Sequence, residues 1–131
     1  MSSEVTFTQC VLVAVGAGLG ALARWASGLA FNALWAGFPL GTLLVNCLGG
    51  LLIGVAMVWF QRSPHEVWRL FIVTGFLGGF TTFSSFSAES LGLVQRGDVG
   101  MAAAHTLAHV FGALACTAAG FALARLALQR L

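Results

Sequence analysis

The side chains in this sequence best suited to chemistry are polar groups set among apolar ones. They are Thr42 and Asn46, then Thr81, Thr82, Ser84 and Ser85 interleaved with Phe80, Phe83 and Phe86. An amide brings two donors and an acceptor, and a hydroxyl brings a donor and two lone pairs. Thr42 and Asn46 are four apart and share one face of a helix. The phenylalanines recur every third residue, so a helical stretch puts them on a similar side with the hydroxyls between them. Because an aromatic ring has a positive edge around a negative face, rings turned edge-on attract an anion without a fixed charge. Amide, hydroxyls and ring edges facing one another make a track of donors suited to a small anion, and Arg24 would help it enter. The plainer alternatives are a phenylalanine core and an asparagine that glues two helices. The interleaved hydroxyls favour the track.

Other groups offer weaker signals. Glu89 is costly at membrane depth unless paired or hydrated, so it sits either in such a setting or in water at a helix end. Arg24 either snorkels to the interface or faces a polar vestibule. His105 and His109 have the spacing of two metal ligands on a helix, but no third ligand is evident nearby, which favours polar packing or a wet lining. Cys10, Cys47 and Cys116 are odd in number and share no C-x-x-C spacing, so they read as small buried apolar groups. The run Gly18 to Ala23 fits a loose dinucleotide fingerprint but has no preceding strand and no acidic residue about twenty positions on. That reading is rejected. No nucleophile–base pair or metal cluster points to an enzyme.

The elements that must hold these groups follow from composition. Hydrophobic residues make up 59% of the 131 and charged residues 8%, where a soluble domain has about a quarter charged. This predicts an all-α integral membrane protein, one transmembrane domain over residues 1–131, with four helices near 10–30, 40–60, 70–94 and 101–128. Each is close to the ~20 residues that cross a bilayer. The net charge of +2 comes without a basic cluster, which excludes nucleic acid as a partner. In the third span, Gly78 and Gly79 each weaken a helix by about 1 kcal/mol relative to Ala, and the nearby hydroxyls compete for backbone groups. A helix broken in its middle is expected, facing inward because lipid cannot satisfy a freed N–H or C=O.

Small residues supply the packing faces: Gly16 with Gly20, Gly50 with Gly54, and every fourth position from Ala104 to Ala124. With four spans, Arg62, Arg69, Arg125 and Arg130 lie on one side against Arg96 and, marginally, Arg24. So slight a bias permits insertion both ways, and an antiparallel dual-topology homodimer joined through the glycine and alanine faces is the economical assembly.

The run Gly75 to Glu89 (GFLGGFTTFSSFSAE), with Gly41-Thr42-Leu43-Leu44-Val45-Asn46 and Gly20-Ala21-Leu22-Ala23-Arg24 before it, resembles the Fluc, or CrcB-type, fluoride channels. The resemblance implies an antiparallel homodimer in a bacterial inner or plasma membrane. Two pores in it would let fluoride leave the cytoplasm passively and so reduce its toxicity. It puts Phe83 and Phe86 on the family's pore phenylalanines, Asn46 on its pore asparagine, and Thr42 and Ser84 near the polar track. It also implies a structural sodium ion at the dimer centre, held by the backbone carbonyls of Gly78 and Thr81 from each subunit. The fourth span departs from the family, offering His109 and Ala113 where serine or threonine is usual. The rival class is a small dual-topology proton-coupled exporter, which needs a titratable carboxylate in its chamber; the first apolar run has none, though Glu89 could serve. A non-transporting assembly subunit would leave Asn46 and the hydroxyls unused.

Overall fold

The computed structural model describes residues 5–130. Four helices are long and apolar enough to cross a membrane: Phe7–Phe31, Leu40–Arg62, Glu66–Gln95 and Val99–Gln129. Among the described residues there is no β-strand. The first two are α1 and α2. The third crossing is a composite of α3 (Glu66–Arg69), a π-helical stretch (Leu70–Leu77), α4 (Gly78–Phe80) and α5 (Phe83–Gln95), and the last is α6 (Val99–Gln129). Each runs a little beyond the span read from hydropathy alone.

The termini are set by local chemistry. Thr6 and Gln9 form a capping box at the start of α1, each side chain bonding the other's backbone N–H, which satisfies donors that a helix start leaves orphaned. Asp98 accepts from the Met101 amide at the start of α6. Between α5 and α6, Gly97 adopts φ +78°, a left-handed turn that a side chain disfavours.

The helices associate as two pairs, α1 with the third crossing and α2 with α6. Glycine makes both possible. A Cβ on Gly20 would strike the Phe76 carbonyl, and one on Gly79 the Ala17 carbonyl. On the other seam, a Cβ on Gly54 would meet the Thr117 carbonyl and one on Gly120 the Leu51 carbonyl. Backbones this close gain dispersion contacts that bulkier residues forbid. This corrects the reading of the glycine faces as dimer surfaces: Gly16, Gly20, Gly50 and Gly54 are consumed within the chain.

The third crossing also differs in detail from expectation. Gly78 is helical at φ −62°, ψ −36°, and Gly79 continues α4. The backbone becomes extended at Thr81 (φ −83°, ψ 156°) and Thr82 (φ −151°, ψ 119°). Gly79 therefore serves close packing against α1, whereas a Cβ on Gly78 would make only ordinary contact with the Val73 carbonyl, and the change of direction belongs to the two threonines. The same pair corrects the expected phenylalanine stripe. Phe80 precedes it, buried and stacked on Phe76 with centroids 5.5 Å apart, while Phe83 and Phe86 follow it on α5.

Candidate functional site

The extended pair creates a local need that a neighbouring helix meets. Asn46, half-buried on α2, donates its amide N–H to the Thr82 carbonyl at 3.0 Å and accepts from the Thr82 N–H at 2.8 Å. This reciprocal clamp replaces the ladder bonds that extended backbone cannot make, each worth about 1 kcal/mol net and more if left unmade in a buried setting. Thr82 in turn caps α5, its hydroxyl accepting from the Ser85 N–H at 3.1 Å. Ser84, exposed, lies 3.3 Å from the same hydroxyl.

These bonds leave two carbonyls without their helical donors. In an unbroken helix Gly78 O would accept from the Thr82 amide, which bonds Asn46, and Thr81 O from the Ser85 amide, which bonds the Thr82 hydroxyl. Freed carbonyl oxygens are suitable ligands for a hard cation, so the donor set at Gly78 and Thr81 fits one. Arg24 reaches the carbonyl between them, its Nε donating to Gly79 O at 3.0 Å. Its head group is thus tied to the third crossing and does not simply snorkel outward.

A second polar cluster lies further along α5. Thr42 donates to Glu89 Oε1 at 2.6 Å, and His105 Nε2 lies 3.2 Å from Glu89 Oε2. Ser90 Oγ meets His105 Nδ1 at 2.8 Å and Thr106 Oγ1 at 3.3 Å. Glu89 is therefore paired and only 22% exposed, which is how a carboxylate is tolerated at depth. The remaining amide hydrogen of Asn46 faces His109 Nδ1 at 3.0 Å. Thr42 and Asn46, one helical turn apart on α2, thus reach the two clusters in turn.

Phe86 joins them. Its buried ring lies 5.7 Å from that of His105 and 4.7 Å from that of His109, and the Phe83 ring meets it edge-on at 5.2 Å. Phe83 itself is 78% exposed. A cavity of about 470 Å³ is lined by Asn46, Thr81, Thr82, Phe83, Phe86 and His109, and another of about 410 Å³ by Asn32, Phe38, Glu89 and Arg96. Phe86 lines the first and Glu89 the second, and His105 touches both side chains, its ring 5.7 Å from that of Phe86 and its Nε2 3.2 Å from the carboxylate.

Glu89, Ser90, Thr82 and His105 gain roles that spacing alone did not assign. Thr82 was one of several hydroxyls, and no local pattern links Glu89 to His105 across the α5–α6 turn. The expectation that His105 and His109 lack a third neighbour is corrected. Glu89 comes from the adjacent helix, and one potential ligand atom from each of the three lies within 4.8 Å of the others.

The model of the family described as "CrcB-like protein, Camphor Resistance (CrcB)" matches residues 11–121. The chain belongs to the CrcB-like family. The matched region contains both polar clusters, the extended pair, the second and third crossings whole and most of the first and fourth, and this CrcB-like chain is a multi-pass membrane protein. It is 46% identical over 93% of its length to a protein of Aromatoleum aromaticum named fluoride-specific ion channel FluC, covering 95% of that relative. Proteins of the same name from Pseudomonas aeruginosa and Burkholderia cenocepacia are 50% identical over 82% of this chain and 49% over 91%, covering 87% and 94% of the relatives.

Proposed function

We propose that this CrcB-like chain is a fluoride-selective channel, not an enzyme, through which fluoride leaves the cytoplasm down its gradient. The observation that carries the reading is the continuous line of polar groups and rings between the two cavities: Asn46 and Thr82, then Phe86, then Thr42 with Glu89. Fluoride as the ion rests on the names of relatives that cover nearly the whole chain. Fluoride is small and a strong hydrogen-bond acceptor, so donors and ring edges at close quarters can replace its water. Asn46, Phe83 and Phe86 line the path, with Thr42 and Ser84 beside it and Arg24 near its approach.

The working unit in this reading is an antiparallel homodimer with two pores. Phe83 is 78% exposed at the lip of the cavity it lines with Asn46, Thr82 and Phe86, and in this reading a second copy closes over it. The carbonyls of Gly78 and Thr81 from both subunits would then hold a sodium ion at the centre. That ion would neutralise the freed carbonyl dipoles and fix the two interrupted helices against each other. In a bacterial membrane the outcome is protection from fluoride.

The experiment is fluoride efflux from liposomes containing the purified protein, with chloride as competitor and with the proton gradient clamped at zero. Efflux that follows the fluoride gradient alone supports the channel. Efflux that appears only once a proton gradient is imposed would favour an exporter built around Glu89, and absence of fluoride movement both with and without that gradient would sink both.

A further inference from the structure

We infer that Glu89, His105 and His109 form a binding site for one divalent cation of borderline softness, of which Zn²⁺ is the type, in each protomer. Two imidazoles and a carboxylate are a common ligand set for such ions. Ligand atoms from the three residues lie within 4.8 Å of one another. The Glu89 Oε2 to His105 Nε2 separation is 3.2 Å, and two ligands at the usual ~2.0–2.1 Å from a tetrahedral zinc stand roughly 3.3 Å apart.

The independent observation is His109. Its ring is 4% exposed, and its Nε2 is buried with no hydrogen-bond partner. Such an atom is rare, because leaving it unpaired is costly. Its Nδ1 already faces Asn46, so Nε2 is the nitrogen left for a ligand. His105 is braced in the manner of a metal-bound imidazole, with Ser90 on Nδ1 while Nε2 faces the carboxylate. Glu89 lines one cavity and His109 the other.

Binding has a structural consequence. The Asn46 amide is oriented by Thr82, carbonyl to N–H and N–H to carbonyl, so it offers an N–H to His109 Nδ1. A neutral imidazole that accepts at Nδ1 carries its proton on Nε2. Coordination through Nε2 moves that proton to Nδ1, where it confronts the Asn46 N–H. The amide must then turn, and its clamp on Thr82 opens. The cation therefore inhibits conduction, a consequence that rests on the channel reading; the binding does not.

The test uses tag-free full-length protein in detergent with Co²⁺ as a spectroscopic probe. Expected are visible bands of tetrahedral Co²⁺ saturating at one equivalent per protomer and displaced by Zn²⁺. Glu89→Gln and His105→Asn should abolish them, while His65→Ala and Cys10→Ser should keep them. X-ray absorption of the Zn²⁺-loaded wild type, which needs no variant, should show nitrogen and oxygen neighbours with two imidazoles and no sulfur. Absence of binding, bands that survive Glu89→Gln and His105→Asn, or a sulfur neighbour would overturn the site. In liposomes Zn²⁺ should slow fluoride efflux at least tenfold in wild type and much less in His105→Asn. Full efflux with the site loaded would overturn the inhibition alone.

Discussion

At the scale of single residues, Asn46 and Phe86 are the decisive side chains. Asn46 makes three hydrogen bonds, two of them to extended backbone. Replacing it with leucine of similar volume strands the Thr82 N–H and carbonyl, at about 1–3 kcal/mol for each buried group. Asn46→Leu should lower the unfolding midpoint in detergent by several degrees and abolish fluoride efflux. Phe83→Ile and Phe86→Ile keep apolar bulk but remove the ring edge. Both should abolish efflux while the elution volume on gel filtration stays that of the wild type; normal efflux in both would refute their assignment to the pore. Thr42 and Asn46 were legible as a pair because helical spacing is a local property. The Glu89–His105 contact was not, since it depends on how α5 and α6 fold back on each other across Gly97. Nor could the sequence say whether His109 would find a partner.

At the scale of elements, the glycines separate into those that carry a seam and those that do not. A Cβ on Gly20, Gly79, Gly54 or Gly120 would run into the main chain of a facing helix, whereas one on Gly18 meets nothing within 4 Å. Gly20→Val and Gly54→Val should each destabilise by about 1–3 kcal/mol, as overpacking does, while Gly18→Ala should be neutral or stabilise by up to about 1 kcal/mol. Denaturant titration of the three variants measures the difference. Composition and apolar runs made the four crossings legible. The glycine repeats did not reveal their partners, because a G-x-x-x-G face serves a helix of the same chain as readily as one of another. In the third crossing Gly78 and Gly79 advertised weakness, yet both stay helical, with Gly79 packed on α1. The extended residues are Thr81 and Thr82, whose hydroxyl chemistry and bonds to Asn46 decide the matter.

At the scale of the whole molecule, the proposed second copy would cover two features: Phe83, exposed at a cavity lip, and the carbonyls freed at Gly78 and Thr81. The proposed central sodium predicts that replacing Na⁺ by a bulky organic cation on both faces of the liposome lowers fluoride efflux severalfold, with recovery when Na⁺ returns. Unchanged efflux after prolonged dialysis without Na⁺ would count against the ion. The resemblance in the sequence reached the family because its run of residues is local and specific. The assembly it implies depends on surfaces that meet only between subunits, where spacing along one chain carries little information.

The clamp between Asn46 and Thr82 also bears on how the chain is made. A ribosome delivers α2 into the bilayer before the third crossing emerges, so the amide that seals the exposed peptide groups is in place before they are synthesised. Reversing that order, by a circular permutant that starts at the α2–α3 turn, would leave unpaired main chain facing hydrocarbon until its stopper arrived. Biogenesis of such a permutant would be slow and leaky to proteolysis even though the finished fold is the same.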